Sequence, residues 1–145
     1  MSDAAAIIDA FPLRTSDKLR YSDTDRQGHV NNAVYSTFLE TGRVELLFHA
    51  AGELAEPGAA FVIARLELDF LAEGLWPGTV EIGTAVASIG RSSVTLEQVI
   101  CQDGRPLAKA RSVVVQINEA TRRSQPLGET AVSQLKRYMR PAAAV

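Results

Sequence analysis

The chain has 145 residues, 46% of them hydrophobic, which suits one domain with a sizeable core and excludes a disordered protein. Fifteen basic residues against 17 acidic ones leave no overall positive charge to attract nucleic acid. A single cysteine, Cys101, excludes an intramolecular disulfide and fits a reducing compartment.

The first residues, to about Thr15, read as a mobile or loosely docked arm. They lack a basic n-region followed by a long apolar core, so no signal peptide is expected. Ser16 to Tyr21 reads as a short first strand. From Asn32 to about Ala51, Tyr35, Phe38, Leu39, Gly42, Leu46 and His49 fall on one face at helical spacing. Val34, Val44, Leu47 and Phe48 widen that face, so the helix is expected to be wrapped by other elements. Gly42 costs helix stability on the order of 1 kcal/mol against Ala, and close approach of another backbone would justify it. Asn31 or Asn32 can cap the start and Gly52 can end it.

The second half reads as β. Val62, Ala64, Leu66, Leu68 and Phe70 alternate with Ile63, Arg65, Glu67 and Asp69, the pattern of a half-buried strand. Glu73 to Gly78 is a turn-rich loop. Val80, Ile82, Thr84 and Val86 mark a strand ending near Gly90. Val94 to Cys101 and Leu107 to Ile117 form two more around the hairpin signal Asp103-Gly104. Pro126 precedes a short amphipathic helix carrying Val132, Leu135 and Met139. Hairpin-linked strands imply an antiparallel sheet, and the whole is an α+β arrangement. No apolar run approaches membrane-spanning length, and a soluble cytoplasmic protein is expected.

Chemistry concentrates in Tyr21-Ser-Asp-Thr-Asp-Arg-Gln-Gly-His-Val-Asn-Asn-Ala-Val-Tyr35. A carboxylate just ahead of a helix N-terminus brings a base or nucleophile close to free backbone N–H donors. That pairing suits attack on a carbonyl. Asp25 is the candidate, though Asp is also common in turns for local reasons. Asp23, two residues away, reads as structural. His29 is a general base or substrate-orienting group, or a turn residue holding a carbonyl. Asn31 and Asn32 are helix caps, or Asn31 holds the water or the substrate. Gly28 allows a positive φ and close approach to the backbone. Tyr35 is core or a substrate contact.

Glu40 and Arg43 are spaced to pair on the helix, with Glu40 an alternative base. Arg91-Ser92-Ser93 is either a solvated hairpin end or a phosphate contact, and Arg122-Arg123 is a weaker candidate of the same kind. Cys101, in the apolar run Val99-Ile100-Cys101, reads as a buried hydrophobe and not a nucleophile. His29 and His49 are the only histidines, and no Cys or His pair has ligand spacing, so no metal or other cofactor is expected.

The Asp-Thr-Asp-x-x-Gly-His-Val-Asn-Asn-x-x-Tyr run, with Phe38-Leu-Glu-x-Gly-Arg43 and Gly90-Arg-Ser-Ser-Val-Thr-Leu-Glu97, resembles the hotdog-fold acyl-CoA thioesterases. Within them it is closest to the 4-hydroxybenzoyl-CoA thioesterase-like branch. The resemblance covers roughly residues 15 to 120 of a single domain. It implies a five-stranded antiparallel sheet wrapped around one long helix, with a short C-terminal helix outside it. It also implies an acyl-CoA substrate, or an acyl-carrier protein, hydrolysed to a free acid. Asp25 would be the catalytic carboxylate, and the backbone N–H groups around Asn31 and Asn32 would polarise the thioester oxygen. Arg91, Ser92 and Ser93 would meet the substrate, and a homodimer or homotetramer would place the site at a subunit interface. The 4-hydroxybenzoyl enzymes usually lack the His-Val-Asn-Asn that follows Gly28, so an aromatic substrate is not implied. A hydratase or dehydratase on the same fold and a non-catalytic acyl-CoA-binding domain are the competing readings.

Overall fold

The computed structural model describes residues 7–140. Five strands, β1 (Leu13–Lys18), β2 (Ala59–Phe70), β3 (Thr79–Ile89), β4 (Ser93–Gln102) and β5 (Arg105–Asn118), form one sheet. A 3₁₀ turn (Tyr21–Asp23) and helix α1 (Val34–Val44) lie between β1 and β2, and α2 (Glu129–Lys136) follows β5. The strand order is β1-β3-β4-β5-β2 and every pairing is antiparallel.

The sheet wraps α1. Towards the helix start, Tyr35, Phe38 and Leu39 pack on Val80, Ile82, Ile100 and Leu107. Further on, Leu46 and Leu47 pack on Val86, Val94, Leu96 and Val114, with Leu135 of α2 sealing that end. Between the two clusters the helix crosses closest to the sheet at Gly42. A Cβ there would stand 2.6 Å from Gln98 Nε2, 2.7 Å from Thr84 Oγ1 and 2.8 Å from Ile82 Cγ2. The close approach inferred for Gly42 is therefore real, but it is to side chains and not to another backbone. Gln98 Nε2 in turn donates to Leu39 O and to Thr84 Oγ1, both at 3.0 Å, which pins the helix along its length. This is the hotdog fold, and it contains no helix long and apolar enough to cross a membrane among the described residues.

Several boundaries differ from expectation. The first strand begins at Leu13 and ends at Lys18, because Arg20 N–H bonds the Asp23 carboxylate at 2.8 Å and bends Tyr21–Asp23 into the 3₁₀ turn. Of the arm expected before it, residues 1–6 lie outside the described ones, and the rest is docked, not loose. Ile8 and Phe11 are buried on the outer face of the sheet against Ala85, Val99 and Cys101. Arg140 stacks over Phe11 at 3.9 Å and bonds Glu97 at 3.2 Å.

Helix α1 starts at Val34, not Asn32, and from Glu45 to Ala50 it widens into a π-helical segment. The widening rotates His49 off the buried face, where it pairs with Glu45 at 3.0 Å in the open. Gly52 ends the helix with φ +85°. In β2 a bulge falls between Ile63 and Arg65. It shifts the alternation by one, so Phe61 and Ile63, not Val62 and Ala64, share the helix side with Leu66 and Leu68. α2 ends at Lys136, and Met139 lies beyond it, bridged to Val86.

Candidate active site

The turn that carries Asp25 is a small hairpin closed by a bridge between Thr24 and Val30. Asp25 N–H donates to His29 O at 2.7 Å and Gly28 N–H donates to Asp25 O at 3.0 Å. That is the pattern of a three-residue hairpin loop whose last residue is left-handed, and Gly28 fills that place with φ +79°. The Asp25 side chain reinforces it. Oδ1 accepts from Gln27 N–H at 2.8 Å and from His29 N–H at 3.2 Å. The turn role of aspartate is thus realised, but it uses one oxygen. Oδ2 has no protein partner among the described residues. The carboxylate is oriented by two N–H donors while a second oxygen stays available to attack or to take a proton.

The turn feeds directly into the start of α1. Asn31 N–H donates to Asp23 O at 2.8 Å, and Asn31 Oδ1 accepts from Ala33 N–H at 3.0 Å. Val34 N–H donates to Asn31 O at 2.9 Å. The helix cap itself is Ala33, without a side-chain cap bond, so neither Asn31 nor Asn32 caps α1; Asn31 instead closes the turn ahead of it, and its own amide is spent. The amide of Asn32 has no partner among the described residues. Asn32 N–H is therefore the amide left open where the turn meets the helix.

A second loop, residues 71–78, braces this turn from the side. Val30 N–H donates to Gly74 O at 2.9 Å, and His29 bridges to Leu75. The Tyr35 hydroxyl accepts from Gly74 N–H at 3.2 Å. Tyr35 is only 2% exposed, so it supports the site instead of lining it, and burial pushes its phenol above the usual value. His29 Nε2 lies 3.1 Å from Glu73 Oε2. Sequence reasoning missed Glu73, Leu75 and the Gln102 that grips the loop. Their only local signal was a turn-rich composition, and sheet register brings them to His29.

The structure brings Asp25, Gly28, His29, Asn31 and Asn32 together, with Tyr35 bracing them through Gly74, and it separates Glu40 and Arg91 to Ser93 from them. Glu40 is exposed, six residues into α1 and about 9 Å along its axis. It lines a cavity of about 140 Å³ with Arg43, Val44, Phe48, Phe61 and Ile63. Arg43 carries a buried Nη1 with no hydrogen-bond partner. Burial lowers its pKa, against the pull of Glu40. Arg91–Ser93 joins β3 to β4 at the far end of the sheet. Ten residue steps of β3 separate it from the Asp25 end, about 30 Å. A larger groove of about 370 Å³ lies on the outer face, lined by Phe11, Glu97, Val99, Arg111 and Arg140 among others. The Asp25 turn borders neither cavity. Cys101 is buried, and desolvation with Glu81 nearby pushes its thiol up to about 11, so it is no nucleophile.

Comparison with known proteins gives the family. The model of the thioesterase superfamily matches residues 27–109. The acyl-CoA thioester hydrolase YbgC of Escherichia coli O6:H1 is 27% identical over 123 residues, covering 82% of this chain and 92% of its own. The acyl-CoA thioesterase YbgC of Haemophilus influenzae is 30% identical over 105 residues, covering 70% of this chain and 74% of its own. Among solved structures, a thioesterase from Thermus thermophilus complexed with coenzyme A and Zn superposes with a TM-score of 0.76 at 32% identity. It covers 87% of this chain and 98% of that one. With a matching fold and a family model spanning more than half its length, this chain belongs to the thioesterase superfamily.

Proposed function

We propose that this protein hydrolyses acyl-CoA thioesters to a free carboxylic acid and CoA, with Asp25 as the catalytic carboxylate. The observation that carries the reading is Asp25 itself. One oxygen is anchored by two backbone N–H groups and the other is open, in the turn that leads to an unpartnered helix-start amide at Asn32. Oδ2 attacks the thioester carbonyl or activates the water that does. The Asn32 N–H and the first helical turn hold the developing oxyanion, where the helix dipole also favours negative charge. Gly28 sets the turn and keeps the approach to Asp25 open, and Asn31 fixes the helix start. The YbgC relatives, named as acyl-CoA thioester hydrolases, support this substrate class over a hydratase or a non-catalytic binding domain.

Two copies are needed in this reading. β2 is a 12-residue edge strand with apolar neighbours left open, Ile63 at 47% and Phe48 at 52% exposure. Antiparallel pairing of β2 with a second β2 would cover that edge. It would also turn the far end of the second sheet, with its Arg91, Ser92 and Ser93, to the same end as Asp25. The phosphates of CoA are then held by one copy while the thioester reacts in the other. A cytoplasmic setting rests on the single, unpaired Cys101.

Thiol release from a panel of short, long and aromatic acyl-CoAs, with an acyl-carrier-protein thioester beside them, tests the activity. Turnover of one or more above background is expected. Tight binding without thiol release would overturn it in favour of a binding domain.

A further inference from the structure

We infer that Glu73 is a positioning residue of this active site, holding the His29 ring through Nε2 and leaving Nδ1 to accept a hydrogen bond from water or substrate. The inference rests on the thioesterase reading above. The contact is 3.1 Å between His29 Nε2 and Glu73 Oε2. Exposed ion pairs are common and most do little, because two long side chains must be ordered for a small gain. This pair differs in what carries it.

The backbone on both sides is fixed. Arg105 Nη2 donates to Glu73 O at 2.8 Å. The Tyr35 hydroxyl accepts from Gly74 N–H at 3.2 Å. Gln102 clamps Leu75 twice, accepting from its N–H at 3.0 Å and donating to its O at 2.7 Å. Gly74 is wedged so closely that a Cβ would lie 2.9 Å from Val30 Cγ2 and 3.0 Å from Leu107 Cδ1. On the other side His29 is locked in the Asp25 turn through its own N–H and C=O. Two rigid loops thus present a carboxylate to an imidazole, and only side-chain rotamers remain to be ordered.

The chemical consequence concerns which ring nitrogen carries the proton. A carboxylate accepting from Nε2–H selects the tautomer with the lone pair on Nδ1. Nδ1 has no protein partner among the described residues. The ring therefore offers an acceptor in the turn that holds Asp25, while Glu73 sets its tautomer from behind. Glu73 itself touches no reacting atom in this scheme.

The test uses the full-length protein with Glu73→Gln, Glu73→Ala, His29→Ala and the Glu73→Ala/His29→Ala double variant. Imidazole ¹⁵N–¹H spectra, recorded with the ring neutral, are expected to show the Nε2–H tautomer in the wild type and in Glu73→Gln, whose amide oxygen still accepts. Glu73→Ala should show a mixture. On the acyl-CoA turned over best, Glu73→Ala is expected to lower kcat about tenfold with KM within twofold, and Glu73→Gln to recover most of that loss. The double variant should be no worse than His29→Ala alone. A Glu73→Ala enzyme with wild-type kcat, an unchanged tautomer, or additive losses in the double variant would overturn the inference. If the wild type releases no thiol at all, the functional reading fails, and the spectra still decide whether Glu73 sets the His29 tautomer.

Discussion

Asp25→Asn separates the turn role the structure gives this residue from the catalytic role proposed for it. In the wild type, Oδ1 accepts from Gln27 N–H and His29 N–H, at 2.8 and 3.2 Å, and holds the turn. Asparagine keeps an oxygen in that place, so both bonds survive and only their charge assistance is lost. That costs about 1 kcal/mol, a shift of a few degrees in melting midpoint for a chain of this size. At Oδ2 the exchange is decisive, because an amide nitrogen there can neither attack a thioester nor take a proton from water. The loss of kcat should be at least about a hundredfold if the carboxylate is a general base, some 2.7 kcal/mol of barrier, and larger if it is the nucleophile. Asp25→Ala is the companion. It removes the turn acceptor as well, so it should lose activity to the same degree and melt lower than the asparagine variant. Thiol release gives the rates and circular dichroism the midpoints. An Asp25→Asn enzyme with near wild-type turnover would remove the carboxylate from the mechanism and leave it only the turn.

Gly28→Ala should lower the melting midpoint and the activity together. Its φ of +79° costs a side chain about 1–2 kcal/mol even though nothing lies within 4 Å to clash, and an unchanged midpoint would show the turn tolerates Cβ. Gly42→Ala should also destabilise. The methyl would sit 2.6 Å from Gln98 Nε2, and overpacking of about 1–3 kcal/mol outweighs a helix-propensity gain near 1 kcal/mol. A higher midpoint would mean the Gln98 amide swings away freely. Arg91→Ala should raise KM for acyl-CoA more than it lowers kcat, and leave a truncated thioester without the nucleotide unaffected. Equal damage to the truncated substrate would make Arg91 a fold residue. Light scattering at micromolar concentration should find an even-numbered oligomer, and a monomer would defeat the two-copy site.

The fold was legible where local pattern and tertiary packing agree. The apolar spacing of Tyr35, Phe38, Leu39 and Leu46 announces a wrapped helix, and those four residues are buried. Asp103-Gly104 announces the β4–β5 hairpin, with Asp103 at φ 50° and Gly104 at φ 75°. Legibility failed where a backbone irregularity reset the phase. One bulge after Ile63 exchanges the faces of β2, and the π-helical stretch from Glu45 turns His49 outward. Neither has a signature in hydrophobic period alone, because each changes the period it would be read by. The N-terminal segment was misjudged for a different reason. Ile8 and Phe11 are too few to set a period, and what buries them is the outer face of a sheet formed by residues far along the chain.

The site divides along the same line. Its candidate groups are contiguous, from Asp25 to Asn32, so motif and spacing name them together. Its support is not contiguous. Gln102 and Arg105 reach the 71–78 loop from either side of the β4–β5 hairpin, and that loop reaches His29 only because β3 starts beside Lys18. Sequence can name a carboxylate near a helix start, but it cannot say which of the carboxylate's oxygens is spent or which amides are already taken. Those two facts turn a general expectation into a specific one. The spent Asn31 amide and spent Asp25 Oδ1 leave Asn32 N–H and Oδ2 without protein partners among the described residues, which is why the proposed mechanism assigns the thioester to them. They also explain why Asp25 is a turn aspartate and a catalytic candidate at once. The turn consumes one face of the carboxylate, and by fixing that face it aims the other.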